Sequence, residues 1–307
     1  MIVNRLFLLL ITILFVVGGT TSALADTKEY SLDVGQLSRT FLVHIPERLT
    51  PGRLAPLVIA LHGGGGNGKW MEKFSGLSET SEKDGFIVVY PNGSGSLKRA
   101  FTWNSGSCCG YAQEYKIDDV TFIRKLIDHM IRQFKADPSR VYITGMSNGA
   151  MMAYRLAAEI PGKIAAIAPV AGALNVKPDS VRLPVPILHF HGTDDEFAPF
   201  EGGHGLKGLT KMEHVPVMGT IEGWVRINQA DPTPTVEELP DRYKDGTHVT
   251  RYTYRTKQDP RNIVLYKIAG GGHTWPCQSH REPILGRTTS QISANEIMWE
   301  FFSAHAR

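Results

Sequence analysis

Short apolar runs alternate with segments of helical periodicity along most of the chain. The continuous apolar runs at residues 57–61, 86–90 and 164–170 are typical of strands that are buried on both faces. Apolar residues recur at helical spacing over residues 120–134. The carboxylates of Asp118 and Asp119 directly precede this run, which favours helix capping over acid–base chemistry. Strands that alternate with helices predict an α/β fold, with a mostly parallel central sheet and helices on both faces.

The first 25 residues have the pattern of a secretory signal peptide. Arg5 supplies a positive charge, residues 6–17 are apolar except for Thr12, and residues 23–25 (Ala-Leu-Ala) form a small-x-small cleavage site. We therefore expect cleavage near Ala25, a single domain over residues 26–307, and an extracellular or periplasmic location. A membrane anchor is a weaker alternative, because the apolar run is short and no later run is long enough to span a bilayer.

Composition narrows the range of partners. The 307 residues include 33 Lys and Arg against 30 Asp and Glu, and the formal net charge is +3. No block of basic residues is present, so a mixed charged surface is expected and nucleic acid is not expected as a partner. We predict no cofactor, and the sequence specifies no oligomeric state.

The pentapeptide Gly145-Met-Ser147-Asn-Gly149 is the strongest chemical signal in the chain. A β-branched and aromatic run precedes it and a helix-forming run follows, which is the context of a nucleophilic serine on a sharp strand–helix turn. Such a turn needs small neighbours because its backbone is strained and crowded. The alternative, a glycine-rich turn with an inert serine, does not account for this context. Ser147 is therefore the candidate nucleophile.

A serine hydroxyl needs a general base, and the base needs an orienting acid. In folds of this kind the acid and then the histidine follow the serine along the chain. His273 follows three glycines at the end of an apolar run, and Asp194 and Asp195 follow the run at residues 185–190. His273 is the candidate base, and either aspartate remains a candidate for the acid.

A metal site is the competing interpretation of this segment. His189 and His191 stand close to Asp194 and Asp195 along the chain, but we find no third histidine placed to complete such a site. We therefore predict no metal.

An oxyanion hole should accompany the nucleophile. One donor is expected from the backbone N–H of Asn148, directly after the serine. The other is expected from the glycine-rich segment at residues 62–66, with Gly64 as the candidate. A phosphate-binding loop is a poor alternative there, because the Lys-Ser/Thr of that motif is missing.

Seven motifs occur in order between residues 57 and 302. They are Leu-His62-Gly-Gly, Trp103-Asn104 with Cys108-Cys109-Gly110, Asp118-Asp119-Val, Gly145-Met-Ser147-Asn-Gly149, His191-Gly-Thr-x-Asp195, Gly-Gly-His273-Thr-Trp275-Pro and Ile297-x-Trp-x-Phe-Phe. As an ordered set they resemble the polyhydroxybutyrate depolymerase/feruloyl esterase family. The resemblance implies an α/β-hydrolase fold and a Ser–Asp–His triad. It selects Asp195, because the family's acid is the last residue of His-Gly-Thr-x-Asp.

The surroundings of the site are predicted from loop lengths and composition. The gap between the apolar runs that end at 170 and begin at 185 is too short for a large helical lid, so loops 92–117 and 196–216 should wall an open site. Trp103 and Trp275 are candidate substrate-binding residues, with core packing as the alternative. Cys277 replaces a glycine expected after Trp-Pro, which favours a disulfide from Cys277 to Cys108 or Cys109.

These features predict a secreted serine esterase that acts through an acyl-enzyme. The candidate substrates are feruloyl or acetyl esters of plant polysaccharide and hydroxyalkanoate oligomers. A secreted serine peptidase and a non-catalytic carbohydrate-binding relative are the alternatives.

Overall fold

The computed structural model describes most of the chain beyond the predicted signal peptide. The residues described are 27–50, 52–97, 100–106, 108–174, 181, 183–208, 212–259, 262–278 and 282–307. The predicted signal peptide and its cleavage site near Ala25 lie outside these ranges.

A large twisted sheet forms the centre of the fold. The strands are β1 (Lys28–Val34), β2 (Leu37–His44), β3 (Ala55–Leu61), β4 (Ile87–Pro91), β5 (Ser94–Leu97), β6 (Ala100–Thr102), β7 (Ala136–Met146), β8 (Ala166–Val170), β9 (Ile187–Gly192), β10 (Gly203–His204), β11 (Glu213–His214), β12 (Thr235–Glu238), β13 (His248–Tyr254) and β14 (Ile263–Ala269). Ten of them pair in the order β1-β2-β4-β3-β7-β8-β9-β14-β13-β12. The six strands from β4 to β14 are parallel, and antiparallel strands complete both edges.

Helices cover both faces of this sheet, as the sequence predicted. They are α1 (Gly68–Ser75), α2 (Leu77–Asp84), α3 (Gly110–Glu114), α4 (Asp119–Phe134), α5 (Asn148–Glu159), α6 (Val217–Ile227) and α7 (Ala294–Ser303). In β3, Leu57 and Ile59 pack in the core under α4, α5 and α6, while Val58 and Ala60 pack in the core under α1, α2 and α7. The continuous apolar run therefore reflects burial on two faces. Among the described residues, no helix is long and apolar enough to cross a membrane.

Two segments contain more regular structure than the sequence indicated. The predicted loop 92–117 includes the β5–β6 hairpin and the short helix α3. Strand β7 begins at Ala136, five residues before Val141, the first residue of the β-branched and aromatic run that precedes Gly145. Ala136 pairs with Ala55 across an irregularity in the β3–β7 register, and such an irregularity accommodates Pro138 within a strand.

A buried ion pair fastens loop 92–117 to the rest of the fold. Asp118 caps α4 by accepting a hydrogen bond from the Thr121 amide, as predicted. Asp119 is fully buried and does more than interact with the helix dipole. Its Oδ1 lies 2.8 Å from Arg39 Nη2 of β2, and its Oδ2 accepts a 2.8 Å hydrogen bond from the Asn104 amide. One carboxylate thus joins the N-terminal hairpin, α4 and the loop.

Asp119→Ala should destabilise the protein strongly. It leaves the Arg39 guanidinium and the Asn104 amide buried without their partner, so we expect the free energy of unfolding to fall by roughly 3–5 kcal/mol. Lys83→Ala is the control, because Lys83 belongs to an ion pair in which both side chains are about two-thirds exposed. Its loss should cost less than about 1 kcal/mol. Urea unfolding of both variants tests this, and equal losses would contradict it.

Candidate active site

Ser147 lies on a strained turn between β7 and α5. Its φ is 57° and its ψ is −117°, a left-handed conformation that is costly for a residue with a side chain. The glycines of the pentapeptide are required by close approach. A Cβ on Gly145 would lie 2.6 Å from the Gly149 carbonyl carbon, and a Cβ on Gly149 would lie 2.4 Å from the Leu61 oxygen. The turn therefore has the structure that the pentapeptide predicted.

Asp195 and His273 meet at the carboxyl ends of β9 and β14, which are parallel neighbours. The His273 Nδ1 lies 2.7 Å from Asp195 Oδ2, and both side chains are nearly completely buried. A carboxylate only accepts, so Nδ1 carries the proton and Nε2 of the neutral ring is bare. Asp194 is exposed instead, and its carboxylate accepts a hydrogen bond from Thr193 Oγ1. The structure thus brings Asp195 to His273 and leaves Asp194 on the surface.

The Asp195 carboxylate is held as an anion. Its Oδ1 accepts 2.8 Å hydrogen bonds from the amides of Phe197 and Ala198. Burial alone would raise the pKa of Asp195. The electrostatic interaction with His273 and the hydrogen bonds from His191 and His273 outweigh burial and hold that pKa well below its usual range. Asp195 therefore stays ionised at neutral pH and orients the imidazole.

Ser147 and His273 line one cavity of about 570 Å³. Both predicted loops contribute to its walls, through residues including Tyr111 from one and Phe197 from the other. The Phe197 ring stacks on His273 with a centroid distance of 5.0 Å. Trp70 of α1, which the sequence analysis did not select, also lines the cavity. Its position just after the glycine-rich segment is the sequence feature from which it could have been predicted.

The prediction that Trp103 and Trp275 bind substrate is wrong. Their exposed fractions are 0% and 1%, and neither lines the cavity. The indole N–H of Trp275 donates to Asn295 Oδ1 of α7. Both tryptophans belong to the core, which was the alternative interpretation, because buried indoles bring large apolar area and one N–H that finds a partner inside the fold.

Trp103 instead supports the two segments that were predicted to form the oxyanion hole. Its backbone N–H donates to Asn148 Oδ1 at 2.7 Å, and its carbonyl accepts from Asn148 Nδ2 at 3.0 Å. Its indole N–H donates to the His62 carbonyl at 3.0 Å, and its ring packs on the His62 imidazole. A Cβ built on Gly64 would lie 3.7 Å from the Asn148 Cβ, so the two residues are adjacent. Within the described residues, neither the Gly64 nor the Asn148 amide donates to another group.

His62 is a fully buried, neutral histidine under this loop. Its Nδ1 donates to the Gly63 carbonyl at 2.8 Å, and its Nε2 accepts from the Gly93 amide at 3.0 Å. A proton on Nε2 would face the N–H of Gly93, so the protonated ring does not fit. Burial lowers the pKa of His62 to about 4, with the charge of Arg39 acting in the same direction and the hydrogen bond to Gly63 opposing it.

The structure does not place Cys277 at Cys108 or Cys109, as the predicted disulfide requires. Cys108 and Cys109 contact one another, and Cys277 is exposed and free. Cys108 and Cys109 line the cavity, and Asn148 Nδ2 lies 3.9 Å from Cys108 Sγ. The cysteine in place of the glycine expected after Trp-Pro favoured a link between loops, but whether two cysteines can be joined depends on their distance in the folded protein.

The competing metal interpretation requires the ring nitrogens of His189 and His191 to be available as metal ligands. The two imidazoles bond to one another and to protein groups inside the core. In the described parts of the chain, no group of three or more His, Cys, Asp or Glu side chains is arranged to hold a metal ion.

A strained serine turn, a buried Asp–His pair and a shared cavity at the carboxyl ends of parallel strands define an α/β-hydrolase. The sequence matches the family described as esterase PHB depolymerase over residues 41–240. The chain belongs to this family and is a carboxylic ester hydrolase.

The similar proteins include enzymes with several ester substrates in their names. A putative esterase, NocK, from Nocardia uniformis subsp. tsuyamanensis is 32% identical over 90% of this chain and 83% of its own length. A bifunctional acetylxylan esterase/xylanase, XynS20E, from Neocallimastix patriciarum is 30% identical over 77% of this chain but only 31% of its own length. Feruloyl esterase B from Piromyces equi is 30% identical over 76% of this chain and 42% of its own length. The chain thus spans less than half of the last two.

Solved structures share the fold. An acetyl xylan esterase from Aspergillus awamori superimposes with a TM-score of 0.62 at 18% identity, over 90% of this chain and 99% of that one. A thermostable esterase superimposes with a TM-score of 0.59 at 15% identity, over 92% of this chain and 64% of that one.

Neutral His62 makes stability depend on pH. The unfolded chain binds a proton at His62 near pH 6.5 and the native protein only near pH 4, so this contribution is complete above pH 6.5 and is lost as the pH falls toward 4. We expect a loss of about 3 kcal/mol from this residue. Urea unfolding at several pH values in this window measures it. His62→Gln should show a smaller loss over the same window, and an unchanged pH dependence in that variant would contradict the assignment.

Proposed function

We propose that this protein is an exported serine esterase that hydrolyses its substrate through an acyl-enzyme, with Ser147 as nucleophile, His273 as general base and Asp195 as the orienting acid. The observation that carries the proposal is that His273, paired with the buried Asp195, lines the same cavity as a serine held at φ 57°. The residue pattern of the first 25 positions supports export, and residues 26–307 would then form one mature domain.

The chemistry follows from these three groups. The bare Nε2 of His273 takes the Ser147 proton as Oγ attacks the ester carbonyl carbon. The tetrahedral intermediate then expels the alcohol, which receives the proton from Nε2 as the C–O bond breaks. Water repeats the sequence on the acyl-enzyme, with His273 again as base, and releases the acid and free Ser147. The ionised Asp195 stabilises the imidazolium and keeps Nδ1 protonated throughout.

The oxyanion is assigned to the amides of Gly64 and Asn148. Neither amide has an acceptor among the described residues, and the two residues are adjacent at the cavity surface. Trp103 holds Asn148 directly and the Gly64 loop through His62, so both donors are preorganised before substrate arrives. Donors fixed in this way stabilise charge that develops only in the transition state.

The cavity favours an ester with an aromatic acyl group over the smaller acetyl esters and the hydroxyalkanoate oligomers. Trp70 and Tyr111 line it, together with the apolar side chain of Met151. Trp70 is half-buried and stacks on Phe74 at 4.2 Å, which fixes the indole plane against the cavity. A flat phenolic acid such as a feruloyl group matches such a wall. The name of the Piromyces equi relative points to the same class.

Ser147→Ala should abolish hydrolysis and covalent labelling. Removal of the nucleophile is expected to lower kcat on a nitrophenyl ester by on the order of 10⁶-fold. The wild-type protein should react with one equivalent of a fluorophosphonate at Ser147, and Ser303→Ala, an exposed serine of α7, should react like the wild type. Wild-type turnover in Ser147→Ala would contradict the mechanism, and absence of labelling would favour a non-catalytic relative. Measuring the hydrolysis of amides that carry the same acyl groups as the esters distinguishes an esterase from a peptidase.

Trp70→Leu should weaken binding of aromatic esters selectively. Loss of one stacked aromatic contact is expected to raise KM for methyl ferulate roughly 3- to 10-fold, with little change for an acetyl ester. Trp299→Leu is a matched control, since Trp299 is also half-buried and stacks on a phenylalanine, Phe86, at 4.4 Å, but it does not line the cavity. Steady-state kinetics on both esters measure the effect. Equal KM changes for the two esters would contradict the assignment.

A further inference from the structure

A chain of buried side chains runs from α5 to the loop that carries Asp195. The Tyr154 hydroxyl lies 2.8 Å from His189 Nδ1, and His189 Nε2 lies 3.0 Å from His191 Nδ1. His191 Nε2 lies 2.7 Å from the Ala198 carbonyl oxygen. The three side chains are at most 2% exposed. None of the three contacts the substrate in the proposed mechanism.

The direction of every hydrogen bond in this chain follows from its last member. A carbonyl oxygen only accepts, so His191 Nε2 carries a proton and, in the neutral ring, Nδ1 is bare. His189 must then donate from Nε2, which leaves its own Nδ1 to accept from the Tyr154 hydroxyl. Burial supports neutral Tyr154 and neutral His189, because it raises the pKa of Tyr154 and holds the pKa of His189 well below its usual value. The donors therefore all point from the core toward the Asp195 loop.

The end of the chain reaches Asp195 by two routes. Ala198 accepts from His191 through its carbonyl and donates from its amide to Asp195 Oδ1 at 2.8 Å. His191 Nε2 also lies 3.4 Å from Asp195 Oδ2, the same oxygen that receives the His273 Nδ1 proton at 2.7 Å. The His191 N–H thus faces both the carboxylate and the peptide that holds it.

We infer that His191 is a positioning residue for the Asp195–His273 pair, locked in its Nε2–H tautomer by His189 and Tyr154. This inference rests on the proposed function. It adds that the acid of the triad is aligned by a three-residue chain in the core, in addition to its own loop. Loss of the His191 N–H should let the carboxylate rotate away from His273 without changing the substrate cavity, which none of the three residues lines.

The test compares two substitutions of His191. His191→Asn is too short to place an N–H at the Nε2 position, whereas the longer amide of His191→Gln reaches it. We expect His191→Asn to lower kcat roughly 10- to 100-fold, the range seen when groups that orient metal-binding histidines are removed, with KM within about 2-fold. His191→Gln should recover most of the loss. His44→Gln is the control for lost stability, because His44 is also fully buried, on β2, and pairs with Glu82 away from the cavity.

A spectroscopic measurement makes the result independent of turnover. The proton between His273 Nδ1 and Asp195 Oδ2 gives a far-downfield ¹H NMR signal when His273 is protonated. This signal should persist in wild type, His44→Gln and His191→Gln, and should broaden or disappear in His191→Asn. Wild-type kcat and an intact signal in His191→Asn would overturn the inference, as would a kcat loss of equal size in His44→Gln.

Two further outcomes remain decisive. If wild-type protein neither hydrolyses esters nor reacts with a fluorophosphonate, the proposed function fails, but the downfield signal still tests the positioning role. If His191→Asn does not fold, ¹⁵N spectra of the wild-type ring nitrogens decide. A protonated Nε2 and bare Nδ1 on both His189 and His191 support the chain, and a bare Nε2 on His191 overturns it.

Discussion

The contact between the Gly149 backbone and the carbonyl of Leu61 is the constraint on which the site depends. Helix α5 starts directly against the end of β3, and there is no room at Gly145 or Gly149 for even a methyl group. This close approach holds Ser147 in a conformation that an isolated chain would avoid. The strain is sustained because β7 and α5 are both fixed in the core, where residues such as Ile143 and Tyr154 are fully buried. The packing of large elements on either side therefore presents Ser147, the proposed nucleophile, at the carboxyl end of the central strand β7.

Buried polar groups hold the rest of the site around that turn. Trp103 links Asn148 to the His62 segment, and Asp119 links Asn104, the next residue, to Arg39 of β2. Each of these groups is costly to bury alone, so the network is stable only when all of its partners are present. These buried polar contacts therefore fasten the loop to β2, α5 and the His62 segment. The cavity wall and the oxyanion segments share this support.

The residues proposed to react and the residues that line the cavity wall lie on different parts of the fold. The serine turn and the Asp–His pair lie at the ends of central strands, whereas Trp70, Tyr111 and Phe197 come from α1, α3 and a loop. Changes in these outer segments alter the cavity without moving the strands. The names of the similar proteins include acetylxylan, feruloyl and hydroxyalkanoate esters, which accords with variation at the walls. A structural likeness at 18% identity shows a shared fold. The choice of acyl group depends on the residues that line the cavity, and the fold does not determine it.

The amino-acid sequence by itself determined the parallel sheet, the helices on both faces and the turn at Ser147. Apolar runs, helical periodicity and glycines with a steric purpose are local signals, and they identify their elements without knowledge of distant contacts. Asp195 required the resemblance, because two adjacent aspartates look alike until the chain is folded. Only the tertiary structure decided the partners of Trp103, Trp275 and His191 and the exposure of Cys277. Burial and pairing depend on segments far apart in the chain, and a large aromatic residue beside a site has the same sequence signature whether it faces the cavity or the core.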